Sequence, residues 1–367
     1  METFSRRAFL AASLAALPAW PAVDEMVPIF DGKTLDGWQQ LNGSAKYEAS
    51  DGMIVGTTTP NSANSFLCTK KSYGDFVLEF EAQVDGNLNS GVQIRSHQYR
   101  NPHTSFVWRA GKWWERNWPT GRVHGYQVEI ANKTHASGGI FDEGERGWLQ
   151  EVTDEPAAST AFNDNQWNKF RVAATGDSVR TWVNGVPCVD LTDPEDQSGF
   201  IGLQVHEFPA NQKAQVRFRN LRIADLGVHV WRPFQLDAPH FSNDPDATIR
   251  LQFKTVKGSG VLQFRGFEAI LDGGQRVGQL LEAGTHQPVV NSVLDRAYQE
   301  GVAHYYRPGD WNQLAIAAHG SRILVHVNGI RTADVITVSG AHGGRLGLAV
   351  PNGSEVLLKD AEILEPK

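Results

Sequence analysis

Short stretches of the chain set apolar and polar residues in alternation: Phe76 to Val84, Ser90 to Ser96, Gly125 to Ile130, Lys169 to Ala174, Val179 to Val183, Phe200 to His206 and Val216 to Ile223. Successive side chains of a strand point to opposite faces, so each stretch predicts a strand with one buried face. Gly, Asn, Asp and Pro separate them, which is the signal of a sandwich or jelly roll. No segment after the N-terminus carries the spacing of a convincing amphipathic helix. Asn184-Gly185 predicts a tight hairpin, because both residues accept the positive φ of a type I′ turn.

The pattern recurs. Gln166 to Gly176 is matched by Asp310 to Gly320, and Val183-Asn184-Gly185 by Val327-Asn328-Gly329. Ser198 to Gln204 answers to Gly343 to Ala349, and Ser90 to Arg95 more loosely to Ser259 to Arg265. Gly125-Tyr126-Gln127 has its counterpart in Gly266-Phe267-Glu268. An all-β chain of two β-sandwiches in tandem follows, joined near Leu226 to Pro239.

The first residues read differently. Ser5-Arg6-Arg7-Ala8-Phe9-Leu10 precedes an apolar run from Ala11 to Ala19 and small residues near Ala22. That is the layout of a twin-arginine-type export signal over residues 1–22, placing the mature protein in the periplasm or outside the cell. The run is too short for a transmembrane helix, though an uncleaved N-terminal anchor would read similarly. The 367 residues carry a formal charge of −7, and losing Glu2, Arg6 and Arg7 makes the remainder one unit more acidic. Such a surface does not neutralise phosphates, so nucleic acid is not an expected partner. Cys68 and Cys188 have no metal-ligand spacing and read as core residues rather than a disulfide.

Several short motifs then fall in one order: Phe30 to Trp38, Tyr73 to Phe76, Asn89 to Val92, Gly125 to Glu129, Gly139 to Gly144, Arg146 to Trp148 and the strand ending at His206. Together they resemble the 3-keto-disaccharide hydrolase family, long catalogued as a domain of unknown function. The resemblance implies a concanavalin-like jelly roll over residues 25–226. Residues 227–367 resemble a second, degenerate copy without the Asp-Glu-Gly loop or the strand histidine.

Residues two apart share a face, which groups Gln127 with Glu129, Gln93 with Arg95, and Gln204 with His206. These pairs predict a polar groove on one sheet. A merely solvated face is the alternative, but such faces usually favour Lys, Thr and Glu. The loop after Glu129 adds Asp142, Glu143, Arg146 and Trp148 as candidates, or else a turn satisfied by its own Asp–Arg pair. Trp108, Trp113, Trp114 and Trp118 crowd an insertion just upstream. Trp114 is the candidate sugar platform there, against a loop that simply buries its own indoles. His124 lies at the edge of the same region, and His97, His103 and His124 have no metal-ligand spacing. A divalent metal held by carboxylates and histidine is conceivable without any spacing signature.

The strand Gln127-x-Glu129-x-Ala131 carries one carboxylate where retaining glycosidases need a pair. The resemblance implies another route. A ketone at C3 of a glucosyl unit acidifies the C2 proton; its removal gives an enolate that expels the C1 substituent, and water adds back. Glu129 or His206 would be the base, Arg95 and Gln127 the enolate donors, and Asp142 or Glu143 the acid. Gln204, Arg146, Trp148, His124 and Trp114 would hold the glycoside. No oxidising cofactor is evident, so the ketone must come from another enzyme, an upstream sugar 3-dehydrogenase. A non-catalytic glycan-binding protein is the competing expectation.

Overall fold

In the computed structural model, described for residues 25–109, 111–209, 211–235, 246–274, 276–289, 301–336 and 346–367, nearly every element is an antiparallel strand. The expected export signal lies outside the described residues. Four sheets form two β-sandwiches in tandem. In the first, a large sheet runs Val186–Thr192, Ser178–Val183, Asn168–Thr175, Asp75–Val84, Gln215–Gly227, Met53–Thr57, Lys46–Ser50, with Val27–Pro28 added beside Gln215–Gly227. The facing sheet runs Gly147–Gln150, Ile140–Glu143, Val123–Ala131, Asn89–Gln98, Gly199–Val205, Ser65–Tyr73, Trp38–Leu41. Between them lie Phe76, Leu78, Phe80, Val92, Ile94, Tyr126, Val128, Ile130, Phe170, Ile201 and Leu203, the inward half of each alternating strand.

The second sandwich repeats this order with fewer strands. Its large sheet runs Ile330–Ile336, Arg322–Val327, Asn312–His319, Ala247–Lys257, Glu355–Pro366, His229–Pro233, and its small sheet runs Leu280–Glu282, Phe267–Ile270, Val261–Phe264, Gly347–Ala349. Local devices recur with it. Asn184 and Asn328 both sit at positive φ (49° and 48°), each followed by a glycine, and each donates to Asn168 or Asn312 at 2.8 Å. Arg95 and Arg265 both adopt left-handed backbone (φ 47° and 45°) and donate to the carbonyls of Gly176 and Gly320.

The seam between the sandwiches is polar. Asp177 accepts from Thr248 at 2.5 Å and contacts His319 Nε2 at 2.9 Å. Asp75 meets His229 at 2.6 Å. The two-stranded arm His103–Arg109 and Lys112–Trp118 reaches across, and Trp113 packs on the second core beside His304 and Tyr305. Two histidines of the second copy belong to this seam: His319 is ion-paired with Asp177, and His326 is buried 3.9 Å from Glu195. His342 lies outside the described residues. Cys68 and Cys188 are free thiols in the core, where burial pushes the Cys188 thiol up to about 11.

Candidate functional site

The outer face of the first sandwich's seven-stranded sheet carries a chain of polar side chains. Val128 and Ile130 face the core, so Gln127 and Glu129 emerge together on the opposite side. Register pairs Gln127 with Gln93 and Glu129 with Gly91 on the next strand. Gln93 Nε2 donates to Gln127 Oε1 at 2.7 Å, Gln127 Nε2 donates to Glu129 Oε2 at 3.2 Å, and Asn89 Nδ2 donates to Glu129 Oε1. Gly91 is required for this arrangement, because a Cβ there would stand 2.5 Å from the Gln127 amide carbon. Glu129 is 6% exposed, and among the described residues no cation pairs with it. Burial, reinforced by the charge of Glu143, raises its carboxyl to about 7 against the downward pull of Asn89 and Gln127.

A second group flanks it. Glu143 pairs in register with Gly125, on the same face. It is held by the Arg122 guanidinium and by Asn64 Nδ2 at 3.3 Å. Asn64 in turn accepts from the Glu207 backbone N–H at 2.9 Å, tying the group to the end of the His206 strand. His206 is half-buried, with Nδ1 2.9 Å from the Glu207 carbonyl. Arg122 Nη1 is buried without a hydrogen-bond partner, and so are both amide atoms of Gln204. Orphaned buried polar atoms are costly, and these three face the same sheet surface as Glu129.

Four expected site residues lie elsewhere. Asp142 follows the alternation of its strand: paired with Tyr126, it turns away from Glu143. Arg146 Nε holds it at 2.5 Å while the Nη atoms contact Asp193 and the Gly329 carbonyl of the second sandwich. Asp142 and Arg146 therefore belong to the domain seam. Period two places Arg95 on the face of Gln93, but its left-handed φ at a bulge reverses its direction. Its fully buried guanidinium is consumed by Gly74, Gly176 and Asp75. His124 stacks 4.0 Å from Tyr99, within reach of Glu145; burial foremost, with neighbouring His97 and His103, lowers it to about 4.

The aromatic insertion divides. Trp113 is a strut between domains, and Trp118 donates to Ser105 and lies 5.1 Å from the Arg122 guanidinium. Trp114 is 39% exposed beneath Lys112, and Trp148 is 38% exposed with its edge on Phe141. Asn89, Asn64 and Arg122 went unread in the sequence. Asn89 had a signal, the same parity as Gly91 and Gln93; Arg122 and Asn64 reach Glu143 from other segments, which spacing does not reveal. Among the described residues no group of three or more His, Cys, Asp or Glu side chains is arranged to hold a metal ion, and no helix is long and apolar enough to cross a membrane.

All of these positions lie within residues 25–224, which match the family described as the 3-keto-alpha-glucoside-1,2-lyase-like domain. The chain belongs to that family. The matched residues coincide with its first sandwich. No curated protein matches the sequence. Among solved structures, the carbohydrate-binding module CBM66 from Bacillus subtilis is similar at 19% identity, covering 50% of this chain and 93% of its own, with a TM-score of 0.35. A "putative glycosyl hydrolase" from Parabacteroides distasonis shares 19% identity over 62% of this chain and 100% of its own, with a TM-score of 0.33. A protein with a galectin-like fold from Bacillus subtilis shares 9% over 52% and 90%, with a TM-score of 0.35.

Proposed function

We propose that this protein is an exported enzyme that cleaves 3-keto-α-glucosides by C2 deprotonation, elimination of the C1 substituent and hydration. The observation that carries the proposal is Glu129: a buried carboxylate without a cation, raised to about 7 and aimed at a polar face. A general base works best when its pKa lies near the working pH, and desolvation has brought Glu129 there.

Glu129 takes the C2 proton, and the electron pair moves into an enolate whose charge sits on the C3 oxygen. Arg122 replaces Arg95 as its donor, because Nη1 is buried and unpartnered. The enolate then expels the C1 oxygen as the enone forms. Glu143 is occupied as an acceptor for Arg122 and Asn64, so His206 protonates the leaving oxygen. Water then adds its hydroxyl to C1 and gives its proton back to His206 while Glu129 returns its proton to C2, so both groups are restored and the net reaction is hydrolysis. The amide chain serves both protonation states of the base. Rotating the Gln93 amide lets its nitrogen donate to Ser96 Oγ at 2.8 Å and to the Gly125 and Tyr126 carbonyls at 3.3 Å, turning its oxygen toward Gln127. Gln127 can then donate to Gln93 and accept from a protonated Glu129. The ketone comes from a sugar 3-dehydrogenase acting upstream.

The test is aglycone release from 4-nitrophenyl 3-keto-α-glucoside and its unoxidised parent. Release from the keto substrate alone, lost in Glu129→Gln, is the expected result. Release from the parent would replace elimination by ordinary glycosidase chemistry. No release from either, together with measurable oligosaccharide binding, would make the protein a glycan binder.

A further inference from the structure

The duplication places a second set of polar groups on the outer face of the second sandwich. Its small sheet repeats the strand order of the first sandwich's site sheet, with Val261–Phe264 in the place of Asn89–Gln98 and Phe267–Ile270 in the place of Val123–Ala131. Gln263 corresponds to Gln93, Glu268 to Gln127 and Ile270 to Glu129. Leu262 and Ala269 face the second core, so Gln263 and Glu268 stand together on the opposite side, directly paired in register.

These groups are bonded to one another as their counterparts are. Gln263 Nε2 donates to Glu268 Oε1 at 3.0 Å, where Gln93 donates to Gln127 at 2.7 Å. The second Glu268 oxygen lies 2.7 Å from Nδ1 of His286, a residue at left-handed φ (53°) in the loop after Leu280–Glu282. Glu268 is 2% exposed, whereas the His286 side chain is 68% exposed. A buried carboxylate accepting from Nδ1–H fixes the tautomer and leaves Nε2 as an outward acceptor. The half-buried Val261 shares this face, and Leu281 stands opposite Glu268 in register.

We propose that this face is a second saccharide-binding site, in which His286 Nε2 and the Gln263 carbonyl accept hydroxyls while Val261 and Leu281 border the ring. The groups exclude an anion, since a buried carboxylate backs the site and the offered atoms are acceptors. They suit a neutral polyol. Turnover is excluded as well, because Ile270 occupies the position of the base. The choice of glucosides as ligand rests on the proposed function of the first sandwich; the geometry of the site does not.

The test is an NMR titration of the full-length Glu129→Gln protein, which leaves substrate intact, with methyl 3-keto-α-glucoside and with methyl α-glucoside. The His286 ring signal, assigned by its loss in His286→Gln, should shift saturably with at least one of them. Adding Glu268→Leu, which removes the acceptor that orients the imidazole, should weaken that binding at least tenfold. A stationary His286 signal up to saturation of the first site, or up to 50 mM sugar where no first site responds, overturns the inference. An intact thermal transition of each variant confirms that the fold is being compared. Because the readout is binding at His286, absence of turnover in the first sandwich leaves it interpretable.

Discussion

Glu129 and Asp142 are both buried, both raised to about 7, and thirteen residues apart, yet the structure puts them to different uses. Glu129 faces outward among amides, with no cation to neutralise it. Asp142 faces the seam, where burial raises it and Glu145 and Asp193 add to that rise, while the single guanidinium of Arg146 is divided between two carboxylates. Asp193 takes the larger share and is held at about 2 despite its burial. A displaced pKa therefore does not identify a base; its partners do. Where the charge is met by an arginine, removal should cost stability. Where it is met only by amides, removal should cost turnover.

Glu129→Gln separates the two most widely. Loss of a general base should lower turnover by about 10³-fold, measured as aglycone release from the 3-keto glucoside. Its effect on stability should have the opposite sign. The folded carboxyl lies above its ordinary 4.5, so its contribution is intact below 4.5 and lost as pH rises through about 7. The neutral amide escapes that loss, and thermal denaturation at pH 8 should find the variant more stable, by about 1–3 kcal/mol. Turnover of the native protein should rise with pH up to about 7 as Glu129 ionises. Asp142→Asn should leave turnover within a few-fold.

Arg146→Met is the converse. It leaves Asp142 and Asp193 buried without their ion-pair partner and releases the Gly329 carbonyl. Breaking a buried pair from one side costs about 3–5 kcal/mol, which chemical denaturation should register, while turnover well below the transition persists. A variant of unchanged stability would mean that the seam does not depend on this arginine.

Gln93→Leu sharpens the outward side. It removes the donor that holds the Gln127 carbonyl and so biases the amide chain. The apparent pKa of the pH–rate profile should rise by less than one unit, with turnover falling about 2- to 5-fold, an effect sized to one neutral hydrogen bond. An unmoved profile would detach the amide chain from Glu129.

What the sequence made legible follows from what alternation encodes. Period two assigned Gln127, Glu129, Gln93 and Gln204 to one face, and the 144-residue echo of Asn184-Gly185 in Asn328-Gly329 revealed the duplication. Parity fails where the backbone departs from a strand: the left-handed Arg95 turned a supposed groove residue into a core anchor. Parity also separates Asp142 from Glu143, since neighbours on a strand cannot share a face. Arg122, Asn64 and His286 reach their carboxylates from other segments, and only the fold brings them together.

The smallest effect belongs to the seam's His319–Asp177 pair. Burial works against the charged imidazole, yet the Asp177 hydrogen bond and charge hold His319 above its ordinary 6.5. Burial likewise works against the Asp177 carboxylate, and His319 and Thr248 hold it below 3.8. The histidine's contribution is full below 6.5 and fades as pH rises through its folded value. The aspartate's is full above 3.8 and fades as pH falls through its own. Their pair is therefore worth most between about 4 and 6.5. His319→Ala should cost about 0.5–1 kcal/mol at pH 5.5 and less at pH 8.5, the size of a part-exposed ion pair. Equal costs at the two pH values would mean that the ring supports the seam by packing, and that Asp177 is held by Thr248 alone.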